Sequence, residues 1–393
     1  MRKTHKKMMT VILCAAATLS VFSESLFAYP PDPDNAALYY YQALLINRKS
    51  DDEEVRRMLT DVAKGNMAPN EEVRRHVRGC RDAIYYAMAA GELPNCNWGL
   101  RYSDGFSALF PHLAQMRWLC FVMVADARIL ATDGDYRQAL ERCMTIRKMA
   151  RHVGDETIIS FLVATAVGQM AEGCIQDILV GVQNDPETLL WLKTRLATVP
   201  TRPLSVKAAM EAEQEIALES MRIENVEELK NLLLGESPDP NVIELIDGLD
   251  EAFFEQIRRY YKQFIESYQV ILDKKAPYVE THRQLKGLSE KAKADAAKDQ
   301  AALLTNAFAP KMWKIYGHEV RSKARLNALK AAVEIYLVKA GTGRLPEALP
   351  DGLPKDPFSG RDFAYQLNKG GFTLRCQGRD LDKDEIHSFE FKI

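Results

Sequence analysis

No CxxC pair, GxSxG elbow, Walker A loop, GxGxxG fingerprint or HExxH helix occurs in the 393 residues. Their absence removes the redox, hydrolase, phosphate-loop, dinucleotide and zincin sites that local spacing alone can announce. Histidine is scarce: 7 residues are scattered along the chain, and no metal cluster is visible from spacing. His318 and Glu319 stand in "GHEVR" without the second histidine a zincin helix needs. Charge of either sign is not in excess, with 52 Lys+Arg against 54 Asp+Glu and a net of -2. That balance gives no global attraction to nucleic acid or to an anionic membrane. What is present is an ordinary globular mixture, 47% hydrophobic and 27% charged, which allows a sizeable core in one to three domains.

The first 28 residues read as an export signal. Arg2, Lys3, Lys6 and Lys7 form a basic start, Met8 to Phe22 an apolar stretch, and "SESLFA" ends on the small Ala28. The apolar run is short for a bilayer span, so cleavage after Ala28 is expected, leaving no integral span and an envelope or periplasmic location. An exported chain meets an oxidising compartment. Six cysteines remain after Cys14, and Cys80 with Cys96, in polar surroundings around "GELPNC", is the expected disulfide. Cys120 and Cys174 sit in apolar stretches and read as buried thiols.

Most of the mature chain has helical periodicity. Asp34 or Asn35, Ser50, Asn70, Asp135 and Asp185 are placed to cap successive helices, and Pro186 fits a first helical position. One helix is expected from Asn70 to Gly91. "ILATDGDYRQAL" predicts two antiparallel helices around a tight turn, with Tyr136, Ala139, Leu140 and Cys143 on one face. This hairpin is similar to a tetratricopeptide unit over about thirty residues, without a second clear copy. "DETIISFLVATAVGQMAEGCIQDILVG" is apolar nearly all round and predicts a central core helix. Phe253, Ile257, Tyr260, Phe264, Tyr268 and Ile271 form a stripe on a long helix that Pro277 should break.

The last seventy-odd residues change character. A helix from near Arg321 stops at Gly341 and Gly343. Three alternating segments follow, carrying Phe363, Tyr365 and Leu367, then Phe372, Leu374 and Cys376, then Phe389, Phe391 and Ile393. The expected fold is therefore mainly α, built of helical hairpins that are partly tetratricopeptide-like. It ends in a small α+β module of one helix and a three-stranded antiparallel sheet. The expected organisation is 1–28 signal, 29–235 helical hairpins, 236–318 long helices and 319–393 module.

"YLVKAGTGRLPEAL", "LPKDPFSGRDFAY" and "GRDLDKD" resemble the globular part of type II secretion major pseudopilins, the pseudopilin G family. Phe358 stands where that family has Trp, and Leu381 replaces the Gly after its Asp. The long apolar filament helix is also lacking, since the corresponding helix here is internal and charged. The resemblance implies a calcium-binding acidic loop, here Asp380, Asp382 and Asp384. Their alternate spacing suits a hard, oxygen-seeking ion, although this is no EF-hand: Glu385 and Phe391 occupy its Gly and Glu positions. Elsewhere, "NAALYYYQALL", "NWGLRYSDGFSALFPHLAQMR" and "MARHVGD" resemble exported helical proteins of unknown function from planctomycete-type bacteria, which implies no activity.

The loop "NWGLRYSDG" carries Trp98, Arg101, Tyr102 and Asp104 and is the expected partner surface. The sequence thus points to an exported, non-catalytic protein that binds a protein or peptide, or serves as a scaffold. Two alternatives stand beside it: a secretion-associated accessory factor acting through the module, and an enzyme with a site near residues 96–104.

Overall fold

The computed structural model describes residues 31–47, 50–154, 157–198, 204–227 and 250–393. The export signal and the expected linker around "LGESPDPN" lie outside the described residues. The chain is mainly helical, with a small C-terminal α+β module. In order come α1 (Ala36–Ile46), α2 (Glu53–Lys64), α3 (Glu71–Gly79), α4 (Arg81–Glu92), α5 (Pro111–Thr132), α6 (Tyr136–Val153), α7 (Ile158–Val182) and α8 (Pro186–Ala197). There follow α9 (Val206–Ser220), α10 (Glu251–Asp273), α11 (Tyr278–Ala296), α12 (Gln300–Phe308) and α13 (Met312–Thr342). Strands β1 (Ala364–Asn368), β2 (Gly371–Arg375) and β3 (Ser388–Lys392) close the chain.

Local chemistry sets most helix starts. Side chains of Asn35, Asn70, Asp135 and Asp185 accept first-turn N–H bonds, satisfying donors that have no partner within the helix. Asp52, not Ser50, caps α2, because Ser50 Oγ instead accepts from Asp52 N–H at 3.2 Å. The expected single helix over 70–91 is two, with Cys80 at their corner.

Helices α5, α6 and α7 pack side by side and form the centre of the first core with α1–α4, α8, the later part of α13 and the sheet. Helix α7 is long and apolar enough to cross a membrane. Here it lies against α5, α6, α8 and α13, with Ala164, Ala171, Cys174, Ile175 and Leu179 at 0% exposure or nearly so. A second core joins α9, α10, α11, α12 and the start of α13. The α10 stripe buries Phe254, Ile257, Tyr261, Phe264, Ile265 and Tyr268, one step round from the expected set.

Helix α13 starts at Met312, not near Arg321. Its 31 residues extend ~46 Å at the usual helical rise. Met312 and Ile315 belong to the second core, and Val320 to Tyr336 to the first. One helix thus threads both cores across the expected boundary at 318/319.

The sheet has order β1-β2-β3, antiparallel throughout. Phe372 pairs with Phe391 in register, and their rings stack at 5.2 Å. Leu367 and Ile393, expected on the buried face, are 44% and 48% exposed at strand ends. After the Lys369-Gly370 turn, Gly371 has φ 148°, and a Cβ there would fall 1.9 Å from Phe391 O. Only glycine lets the strands approach that closely.

Candidate functional site

The loop expected to present a partner surface is divided by its own tryptophan. Trp98 is 3% exposed. Its indole stacks on Tyr40 at 5.5 Å and on His112 at 4.2 Å, and its Nε1–H donates to His152 O at 2.9 Å. Trp98 is therefore a core residue, because its apolar body and single donor are both satisfied inside. Burial holds both His112 and His152 down to about 4, so both imidazoles are neutral at physiological pH. Arg101 and Asp104 stay on the outside and pair with each other at 3.1 Å, beside the partly exposed Tyr102. The loop is pinned beyond them: Phe106 N–H donates to Ser220 Oγ at 2.8 Å, and a Cβ on Gly105 would collide with that hydroxyl. A site near residues 96–104 would therefore present the Arg101–Asp104 pair and Tyr102 at the surface, together with the exposed Asn97 and Ser103.

The expected disulfide is not formed: no bond joins Cys80 and Cys96. Cys80 precedes α4 and Cys96 follows it. The twelve residues of α4 between them span ~18 Å along the helix axis, far more than the ~7 Å Cα limit of a disulfide, and the short loop 93–95 is what leads back to Cys96. Burial pushes the thiols of Cys120 and Cys376 up, and Cys143 lies well above its ordinary value through its contact with Cys174 and its burial. Thiols so held are poor nucleophiles and unreactive towards oxidants.

In the C-terminal module the three aspartates separate. Asp380 is fully buried. Its carboxylate accepts from Arg321 Nη1 at 3.0 Å, Asp382 N–H at 2.9 Å and Tyr278 Oη at 3.2 Å, and lies 2.9 Å from His387 Nε2. Burial alone raises its pKa, but His387, Arg321 and the Asp382 amide outweigh it and hold the carboxyl well below the usual range. Asp382 reaches the same Arg321 nitrogen at 3.1 Å. Asp384 turns away at φ 59° and pairs with Arg379 at 2.6 Å in solvent. The three carboxylates do not converge on one point, and a guanidinium lies where two of them meet.

Asp380, Glu385 and His387 do bring one ligand atom each within 4.8 Å of one another. Any ion there would compete with Arg321 for Asp380 Oδ2. Glu385 and His387 were not singled out from sequence. They arrive through the bridge between Asp380 and Glu385, which a spacing rule for aspartates does not include.

The "LPKDP" motif has a structural role of the same kind. Buried Asp356 accepts from the amides of Phe358, Gln377 and Gly378 and from Ser359 Oγ. It thereby ties the loop before the sheet to the turn after β2. Another buried charge lies between α6, α7 and α13. Glu172 is 4% exposed, and Arg147 approaches only to 3.6 Å. Burial outweighs Arg147, Arg325 and Lys330 and pushes the Glu172 carboxyl up to about 7.

A solvent-facing group of charges lies elsewhere. A cavity of about 420 Å³ is bounded by α3 and α4 on one side and by α5 and α6 on the other. Val77, Ile84, Met88 and Ile129 make an apolar floor, and Tyr85 stands 67% exposed at the side. Arg74, Arg78, Arg81 and Arg142 line it with only Asp126 and Asp133 as counter-charges. Arg74 forks onto both oxygens of Asp133 at 2.8 Å, and this pairing lowers the Asp133 pKa. Arg142 Nε donates to Asp126 at 2.8 Å.

Sequence reasoning missed this groove, although part of its signal was present. Arg74, Arg78, Arg81, Tyr85 and Met88 step by four and three residues, the spacing of one helical face. The corner at Cys80 does not interrupt that face.

No family model, no curated protein and no solved structure matches the chain.

Proposed function

We propose that the chain is an exported, non-catalytic protein that binds a protein or peptide partner through its helical hairpins, acting as a scaffold of the cell envelope. The observation that carries this reading is the groove of α3–α6. It combines an apolar floor, a protruding tyrosine and several arginines, residue types that supply much of the energy at protein interfaces. Its ionisable groups favour a binder over an enzyme. Four are guanidiniums, which offer hydrogen-bond donors and no acceptor, and both carboxylates are already ion-paired. The α5–α6 hairpin, with Ala139 buried at its close approach, fits the tetratricopeptide-like reading. A photocrosslinking amino acid in place of Tyr85 should join the protein to a discrete partner in envelope fractions. The same group in place of exposed Val270 on α10 should not. Indistinguishable crosslinks from both positions would remove the groove from consideration.

A second reading rests on the module. The Asp356 turn and the helix-plus-sheet arrangement suit the pseudopilin-like resemblance, and with it a secretion-associated accessory role. The first half of α13 is embedded against α9 and α11, which disfavours use as a filament helix.

A further inference from the structure

Resting on the reading of the α3–α6 groove as a partner site, we propose that it recognises an acidic protein segment, one whose carboxylates flank a single aliphatic or aromatic anchor. The argument is one of unspent charge. Four guanidiniums face two carboxylates in the lining, an excess of two positive charges in a chain whose net charge is -2. The two carboxylates are already engaged: Asp133 gives both oxygens to Arg74, and Asp126 holds Arg142. The Arg142–Asp126 pair fixes the wall formed by α5 and α6, and the Arg74–Asp133 pair joins that wall to α3.

The opposite wall is different. Arg78 has only Glu71, and both side chains are more than 60% exposed, a pairing that solvent weakens. Arg81 is exposed and has no carboxylate within ion-pair distance among the described residues. Two guanidiniums with free donors stand three residues apart along one side of an apolar pit. A carboxylate can take two parallel N–H bonds from each, while its neighbour in sequence fills the pit over Val77, Ile84 and Met88 beside Tyr85. Nucleic acid fits this arrangement less well, since it needs a track of phosphate contacts with stacking rings between them. Two guanidiniums around a concavity, one of them paired with Glu71, do not provide one.

The test is a selection of random twelve-residue peptides, displayed on phage, against the full chain. Binding of the selected consensus is then measured by fluorescence anisotropy. Selected peptides should be rich in Asp and Glu around one aliphatic or aromatic residue. The consensus should bind at least tenfold more weakly when its acids become amides, when Arg81→Glu is introduced, and when salt is raised. Arg81→Gln should give an intermediate loss, and circular dichroism should show both variants folded.

Three results overturn the proposal. Peptides without acidic enrichment whose binding nevertheless falls in Tyr85→Ala would exclude the acidic partner and leave the groove as a binding site. Peptides indifferent to both Tyr85→Ala and Arg81→Glu would exclude the groove as well. A random single-stranded oligonucleotide that displaces the consensus peptide at equal concentration would reassign the groove to polyanions in general.

Discussion

Arginine meets aspartate in two places in this molecule, with opposite balance. In the C-terminal module one guanidinium, Arg321, lies between two carboxylates, and Asp380 is further engaged by His387, Tyr278 and backbone amides. In the lining of the α3–α6 groove four guanidiniums meet two carboxylates, and Arg81 has no carboxylate partner among the described residues. The first arrangement is buried and each of its charged side chains has a close partner, so its chemistry is consumed in holding α11 and α13 to the loop before β3. The second is open to solvent and under-satisfied, so it retains donors for another molecule. Density of charged residues therefore says little by itself; the local ratio of partners, and their burial, separates a latch from a docking surface.

The largest expected effect comes from breaking the latch. Asp380→Ala leaves Arg321 buried between fewer partners and should cost about 3–5 kcal/mol in urea unfolding. A loss below about 1 kcal/mol would mean that the network is dispensable and the contrast with the groove is false.

Acid should act on the same residue. The folded-state pKa of Asp380 is depressed, so its contribution is fully present above the unfolded value of about 4 and is lost as pH falls below it. Asp380→Asn should flatten the acid limb of the stability profile; an unchanged limb would exclude that linkage.

Glu172 carries the opposite sign. Its folded pKa, about 7, lies above the unfolded value, so the folded state holds a proton that the unfolded state releases. Stability should then fall as pH rises from about 4.5 to 7, by on the order of 2 kcal/mol, and Glu172→Gln should remove that fall. The check is chemical unfolding of both proteins at pH 5 and pH 8.

Groove variants should leave stability almost untouched. Arg81→Glu should change it by less than about 0.5 kcal/mol, because an exposed side chain without an ion-pair partner holds nothing in place. Arg74→Ala should cost more than Arg81→Glu, because it removes a two-pronged contact with Asp133, and still less than Asp380→Ala. Larger losses would make the groove a structural element like the latch. The smallest effect is expected from millimolar calcium, which should leave the melting temperature unchanged while Arg321 occupies the meeting point of Asp380 and Asp382. A rise of several degrees would show that the carboxylates exchange the guanidinium for an ion.

The helical and strand periods were legible because they are local. Asn70, Asp135 and Asp185 cap their helices as their residue types demand, and Phe372, Leu374, Phe389 and Phe391 alternate into one buried face. The corner at Cys80 was not legible, since helical spacing continues through it. The disulfide reading failed for a related reason: sixteen positions in sequence look close until a straight helix is placed between them. Trp98 reads as a surface residue in a polar loop, and only the approach of Tyr40, His112 and His152 from distant segments makes it core.

By itself, then, the sequence determined where several helices begin, most of the amphipathic faces they carry, and a terminal α+β unit, because capping, periodicity and turn chemistry act over a few residues. Tertiary structure alone decided which charges are spent. Asp380 meets Arg321 and Tyr278 across 59 and 102 residues, and Arg74 meets Asp133 across 59. No local rule relates such positions. Packing fixed whether each guanidinium found a carboxylate, and so fixed that Arg321 closes the module while Arg81 still faces solvent.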